Sequence, residues 1–355
     1  MIRFSAWKSI YHLLRTFLLL RGVPISGNPK PDLPEEWTPL LPALREHRLR
    51  PLAYWVARSL GVTPAALVSE ELQSAFYSSV VRHDRLRAAL AEIADAFARS
   101  DLRLIVLKGL SLAERLYPDS ACRPMEDIDI LVRPEDLPSA SRLILSLGYS
   151  DKTFGIEDYR NPETGIVVDL HTELLNSTRL PVRRSAWDPR LNTWWNRSHP
   201  SGSHPAVYSL DPQDDLVYLC HHAWLHHGLQ RPLGLLDICQ RFSEIEQGRQ
   251  KSGRLLERDD IEEARRGLWY ALISCEKRLG LLIPPTFQDA LRPVGAGMLE
   301  RSIHRLATRG WLPTNARYMY LWLAIPRQER RRFLLESLSS GWKVLRPGSR
   351  LDIEP

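Results

Sequence analysis

Cysteine is scarce in this chain, and its shortage excludes a fold that is held together by disulfide bonds. Only four of the 355 residues are cysteines, and no two of them form a C-x-x-C pair. We therefore expect reduced thiols in a cytoplasmic protein. The four positions are Cys122, Cys220, Cys239 and Cys275.

Long apolar runs are also lacking. No segment reaches the roughly 18 uninterrupted apolar residues that a membrane-spanning helix needs, so no transmembrane segment is predicted. The apolar stretch from Ile10 to Leu20 contains His12 and Arg15 and has no small-residue cleavage site after it. We expect an amphipathic helix at a domain surface there, and not a secretion signal.

Neither sign of charge dominates the composition. The 48 lysines and arginines exceed the 42 aspartates and glutamates by six, which gives no strong signal for nucleic-acid binding. Apolar residues make up 44% and charged residues 25% of the chain, as is usual for a globular protein. The length allows two or three domains and a sizeable core.

An acidic motif in apolar surroundings is the most informative feature that is present. Asp127 and Asp129 alternate with isoleucines in the run DIDILV. Residues two apart on a strand share a face, so both carboxylates are expected on one side while the isoleucines enter the core. Asp169 lies in a second apolar run, IVVDL. If the two strands are neighbours, three carboxylates converge, and such oxygen ligands suit Mg²⁺ or Mn²⁺.

The chain around this motif resembles a known family. The segments LKGLS, LYP, CRPMEDIDILV and VDLH are similar to the polymerase-β-type nucleotidyltransferase superfamily, and more closely to bacterial proteins described as uncharacterised nucleotidyltransferases. The resemblance begins near Arg45 and extends through Asp237. One departure is that Leu110 separates Gly109 from Ser111, where the superfamily usually has adjacent small residues.

The resemblance implies roles for several residues of these segments. Asp127, Asp129 and Asp169 are the expected metal ligands and catalytic residues, and Asp169 is also a candidate to take the acceptor's proton. Four residues are expected to contact the phosphates of the nucleotide: Lys108, Gly109, Ser111 and Arg123. Alternatively, Lys108 caps the turn or pairs with Glu126, which should face away from Asp127 and is not counted as a ligand.

Histidines form the second unusual feature. His171 shares the face of Asp169, where we expect it to support the site through a hydrogen bond. The alternatives are that it orients Asp169 or contacts the nucleotide or the acceptor. His222 and His226 are four residues apart in the run HHAWLHH, which is compatible with zinc on one helix face. Since there is no H-E-x-x-H motif, a structural network or contact with substrate is the favoured interpretation. The resemblance includes Asp237 after this helix, as a residue that contacts the substrate or supports the site through a structural network.

These patterns predict an α+β fold with four segments. They are an N-terminal helical region at 1–100, a nucleotidyltransferase core at 101–176 with a small mixed sheet, a linker at 177–210 and a C-terminal helical domain at 211–355. Strands are predicted at Arg103–Leu107, at Asp127–Val132, from Tyr149 and around Asp169. Among the C-terminal helices we expect Leu235–Glu246, Ile261–Leu279 and Gln328–Leu345.

The predicted function is Mg²⁺-dependent transfer of a nucleoside monophosphate from an NTP, with ATP the expected donor. The acceptor is a hydroxyl or phosphate group on a small molecule, a peptide or a protein. The alternative is a catalytically silent nucleotide- or peptide-binding module on the same fold, which the altered Gly109-Leu110-Ser111 turn favours. A toxin-like enzyme that modifies tRNA or protein is a third hypothesis.

Overall fold

A computed structural model of the chain describes most residues up to 308. The described residues are 2–27, 33, 36–151, 158–174, 191–202, 204–248, 253–258, 261–293 and 298–308. The predicted helix Gln328–Leu345 lies outside this range.

The described residues before the sheet are helical, as the sequence predicts. They form α1 (Ile2–Leu20), α2 (Leu41–Glu46), α3 (Arg50–Ser59) and α4 (Ala66–Arg99). The apolar stripe of α1, which includes Leu14 and Phe17, is buried. Because α1 packs against α3 and against two C-terminal helices, its apolar side is a part of the core.

One sheet of seven strands lies in the centre of the described chain. The strands are β1 (Leu104–Val106), β2 (Asp127–Leu131), β3 (Ser150–Asp151), β4 (Asp158–Arg160), β5 (Val167–His171), β6 (His199–Pro200) and β7 (Val207–Ser209). Their order is β3-β4-β5-β2-β1-β7-β6. The β2–β5 and β1–β7 pairs are parallel and the other neighbours are antiparallel. The predicted α+β class with a mixed sheet is confirmed.

The two faces of the sheet pack against different helices. Ile128 and Ile130 pack into a cluster with Phe97 of α4 and Ile144 of α6 (Leu137–Ser146). Leu131 joins the larger cluster that contains the C-terminal helices. Alternation along β2 therefore sends the isoleucines to the α4 side and the aspartates to the opposite side.

The sheet extends beyond residue 176, which is the predicted end of the nucleotidyltransferase core. The described part of the predicted linker contains α7 (Leu191–Arg197), β6 and β7, and β7 pairs with β1. Two- and three-residue strands are too short to show a two-residue alternation. That explains why the sequence pattern suggested a linker here.

The remaining described helices follow the sheet or connect its strands. They are α5 (Lys108–Leu116), α8 (Pro212–His221), α9 (Pro232–Gln247), α10 (Gly253–Leu256), α11 (Ile261–Leu279), α12 (Pro285–Leu291) and α13 (Met298–Thr308). A π-helical turn, His222–His226, continues α8. The predictions for α9 and α11 are confirmed. None of the helices in the described ranges is both long and apolar enough to cross a membrane.

Candidate active site

The register of two parallel strands brings the acidic residues together. Asp129 of β2 lies directly beside Asp169 of β5, and Leu131 lies beside His171. Side chains of paired residues project from the same face of a sheet. Asp129, Asp169 and His171 therefore share the face opposite α4, and each of them is buried.

Asp129 is the most heavily bonded member of this group. His171 donates a hydrogen bond from Nε2 to Asp129 Oδ1 over 3.0 Å. The ammonium nitrogen of Lys108 lies 3.0 Å from the same oxygen. His171 thus makes the expected supporting hydrogen bond, but its partner is Asp129 on β2 and not Asp169 of its own strand.

The three aspartates lie in contrasting electrostatic environments. Burial alone would raise the pKa of Asp129, but the charge of Lys108 and the hydrogen bond from His171 hold that pKa well below its ordinary value. Burial and the nearby Asp129 raise the pKa of Asp127. Burial, Asp129 and a hydrogen bond with Asp158 raise the pKa of Asp169 to about 8.

Lys108 reaches the site because of an unusual turn between β1 and α5. Its φ is +28°, a value that residues with a Cβ seldom adopt. Just before it, the Leu107 amide donates to the carbonyl oxygen of Asp129 over 3.0 Å, which fixes the turn against β2. The alternative pairing of Lys108 with Glu126 is not observed; Glu126 is exposed and lies 3.4 Å from Arg48.

Lys108 also links the sheet to α8 and to the π-helical turn that continues it. Its ammonium group lies 3.3 Å from Nε2 of His222 and hydrogen bonds with the hydroxyl of Tyr218. Burial, together with the charge of Lys108 and of neighbouring histidines, holds the pKa of His222 well below its ordinary value. The neutral imidazole can therefore accept a hydrogen bond from the ammonium group.

The histidine run stacks its rings and does not form a ligand cluster. The rings of His222 and His226 are stacked with their centroids 4.9 Å apart, and His227 meets His222 edge-on at 4.8 Å. Within the described residues, the one group of three or more ligand atoms close enough for a metal ion is Asp129, Asp169 and His171. The histidine run is not such a group, so a structural network of histidines is favoured over a zinc site.

Arg123 and Asp237 bind each other. Arg123 donates from Nε and Nη2 to the two carboxylate oxygens of Asp237, over 2.9 and 2.8 Å. The Tyr117 hydroxyl donates to the same carboxylate over 2.7 Å, and His83 Nε2 donates to the carbonyl oxygen of Arg123 over 3.0 Å. This buried network ties the segment before β2 to α9, so both predicted contact residues serve first to join parts of the fold.

The other two predicted nucleotide contacts lie on the first turn of α5. Gly109 is buried, and a Cβ on it would lie 3.4 Å from the sulfur of Met125, which is an ordinary contact. Ser111, two residues further on, is half-buried. Both residues therefore lie beside Lys108, at the end of the helix whose backbone N–H groups lack helical partners.

Sequence reasoning missed two tyrosines that complete the site. Tyr218 contacts Lys108, and Tyr117 contacts Asp237. Tyr218 precedes His222 by four residues, so helical spacing could have placed it beside that histidine. Tyr117 lies in the LYP segment of the resemblance, but no sequence pattern pointed to its partner, which is 120 residues away.

The chemistry of this group suits a divalent cation. Two carboxylates and an imidazole offer ligand atoms that all lie within 4.8 Å of one another. Oxygen ligands of this kind are typical for Mg²⁺ and Mn²⁺, and an imidazole is compatible with the latter. Asp127 lies two residues before Asp129 on the same face of β2, and it does not belong to this group.

Comparison with known proteins places the whole region in one family. A family model described as uncharacterised nucleotidyltransferase matches residues 34–280, which include the sheet, the acidic group and α9. Among curated proteins and solved structures, none is significantly similar to the chain. Because the match covers more than half of the sequence, the chain belongs to this family of uncharacterised nucleotidyltransferases.

Proposed function

We propose that this protein transfers a nucleoside monophosphate from an NTP, with ATP the expected donor, to a hydroxyl or phosphate group of an acceptor. The proposal includes a place in the polymerase-β-type superfamily. The observation that carries it is the register that sets Asp129 beside Asp169 on neighbouring parallel strands. Both carboxylates are buried near His171, and the three residues together could hold a metal ion.

Each acidic residue has a part in this reaction. Asp129 and Asp169 hold Mg²⁺ or Mn²⁺, and Asp127 contributes from the start of β2. When bound, the metal ions supply charge neutralisation at the phosphates and activation of the acceptor hydroxyl. Asp169 accepts the acceptor's proton. His171 holds Asp129 in its orientation through the 3.0 Å hydrogen bond.

The start of α5 is the proposed phosphate-binding segment. Unpaired backbone N–H groups at a helix N-terminus attract anions. Gly109 and Ser111 lie in that turn, and Lys108 adds a positive charge. Arg123 acts at longer range, because its guanidinium is engaged by Asp237. His222 and His226, on the opposite side of Lys108, face the substrate from the helical domain.

Transfer of an α-phosphate label tests this proposal. Each of the four NTPs, labelled at the α-phosphate, is incubated with the protein, Mg²⁺ or Mn²⁺ and a metabolite extract. We expect a labelled product and pyrophosphate, both reduced roughly 100-fold or more by Asp129→Asn, since that change removes a metal ligand. Glu126→Gln is the matched control, because Glu126 is an exposed carboxylate just before β2 that pairs with Arg48.

The silent-module alternative predicts a different result. The altered Gly109-Leu110-Ser111 turn favours it. A protein of that kind binds NTP but releases no pyrophosphate in any extract, and Asp129→Asn then changes no product. That outcome would replace the enzymatic proposal with the binding module.

A further inference from the structure

We propose that Lys108 is an internal counter-cation, which binds Asp129 while the site holds no metal and competes with a divalent cation for that carboxylate. Metal binding then releases Lys108 toward the phosphates of the donor nucleotide. This inference rests on the proposed function, because it concerns how the same site is loaded.

Lys108 and a divalent cation compete because one oxygen atom of Asp129 already has two partners. Asp129 Oδ1 already has the ammonium nitrogen of Lys108 at 3.0 Å and His171 Nε2 at 3.0 Å. The carboxylate is buried, with its side chain 3% exposed. A divalent cation that binds there meets a like charge in surroundings that screen it poorly, so the two cations exclude each other.

The backbone of Lys108 places the start of its side chain beside Asp129. A positive φ is unfavourable at a residue with a Cβ, and such conformations persist where the surroundings impose them. The hydrogen bond from the Leu107 amide to the carbonyl of Asp129 holds the turn against β2. The lysine is thus attached to the strand that carries its partner.

A second set of partners is within reach of the same ammonium group. Nε2 of His222 lies 3.3 Å away, and the hydroxyl of Tyr218 also hydrogen bonds with it. The lysine side chain is 20% exposed, and its four-carbon stem has freely rotating bonds. Lys108 can therefore leave Asp129 and keep two neutral acceptors while it turns toward an incoming phosphate.

The test measures Mn²⁺ binding without nucleotide, from the loss of the free-ion signal in electron paramagnetic resonance. Lys108→Met removes the charge and keeps most of the side-chain volume, and Lys108→Gln is a second uncharged variant. We expect both to bind Mn²⁺ roughly tenfold more tightly than the wild type. Saturating Mn²⁺ should leave their ATP affinity below that of the wild type, because the phosphates lose a cation.

Two controls separate this effect from a change in overall charge. Lys108→Arg keeps the positive charge and should retain the wild-type Mn²⁺ affinity to within a fewfold. Arg87→Met removes a charge at an exposed pair with Glu114 and should change nothing. Circular dichroism establishes that each variant is folded.

The outcomes distinguish the two claims. If both uncharged variants bind Mn²⁺ with the same affinity as the wild type, or more weakly, the counter-cation proposal is overturned. The proposed function would still stand. Failure of the wild type and of every variant to bind Mn²⁺, even with ATP present, would overturn the metal-dependent function and this inference with it.

Discussion

Two groups bind the buried carboxylate of Asp129 in this structure, Lys108 and His171. A divalent cation is the proposed third partner. Asp169, its neighbour across the strand pair, is in the opposite situation, since acidic groups surround it. Asp127 and Asp129 face it from β2 and Asp158 faces it from β4.

This difference predicts a pH dependence of metal binding. The pKa of Asp169 is raised to about 8 by burial and by its acidic neighbours, so the group is protonated below that pH and must lose its proton to bind a cation. We expect the affinity for Mn²⁺ to increase from about pH 6 to about pH 8, with release of a proton. Calorimetry in two buffers of different ionisation enthalpy measures that proton.

A variant on the adjacent strand provides the control for this prediction. Asp158→Asn removes a negative charge and a partner that raise the pKa of Asp169. The rise in affinity should therefore shift to lower pH. Equal Mn²⁺ affinity at about pH 6 and about pH 8, with no proton released, would contradict the assignment of Asp169 as a ligand.

At the level of secondary structure, the ion pair of Arg123 with Asp237 joins the segment before β2 to α9. Both groups are buried, with 10% and 3% of the side chains exposed. Asp237→Ala leaves the guanidinium without a counter-charge, so we expect the free energy of unfolding to fall by about 3–5 kcal/mol. Chemical denaturation, followed by far-ultraviolet circular dichroism, measures this change.

An exposed pair in the same part of the fold gives the comparison. Arg48 lies 3.4 Å from Glu126, with about half of each side chain exposed. Arg48→Ala should cost at most about 1 kcal/mol, since water screens such pairs. Similar losses for the two variants would show that Asp237 is not the structural partner of Arg123 that the geometry indicates.

The elements also explain which parts of the site the sequence could predict. The alternation around Asp127 and Asp129 predicts a strand with its aspartates on one face, and the structure has that strand. The pairing with Asp169 required only the assumption that the two strands are neighbours. A two-residue period is a local property, so the sequence carries it directly.

Other features of the site depend on contacts that no local pattern encodes. The positive φ of Lys108 arises from the way the turn packs on β2, and the resemblance alone suggested a phosphate contact for this residue. Its link to His222 joins residues 114 apart. The π-helical turn that stacks His222 on His226 also departs from the regular helix that the spacing predicted.

Over the whole molecule, the site lies where two hydrophobic clusters meet. One cluster fills the space between the sheet and α4, and the other includes α1 and the helices from α8 onward. The acidic face of β2 and β5 is directed to the second cluster. Lys108, Tyr218 and His222 then bridge the sheet and the helices. The family match likewise extends beyond the sheet, to residue 280.

The most direct test of the central claim is calorimetric titration of each NTP, with and without Mg²⁺, into the wild type and the Asp127→Asn, Asp129→Asn double variant. The account predicts that Mg²⁺ strengthens binding of at least one NTP, ATP in the first instance, to the wild type. We also predict that this strengthening disappears in the variant, because the carboxylates that are proposed to hold the metal are gone. Binding that is independent of Mg²⁺, or that is equally strong in the double variant, would contradict a metal-dependent nucleotide site on the acidic face.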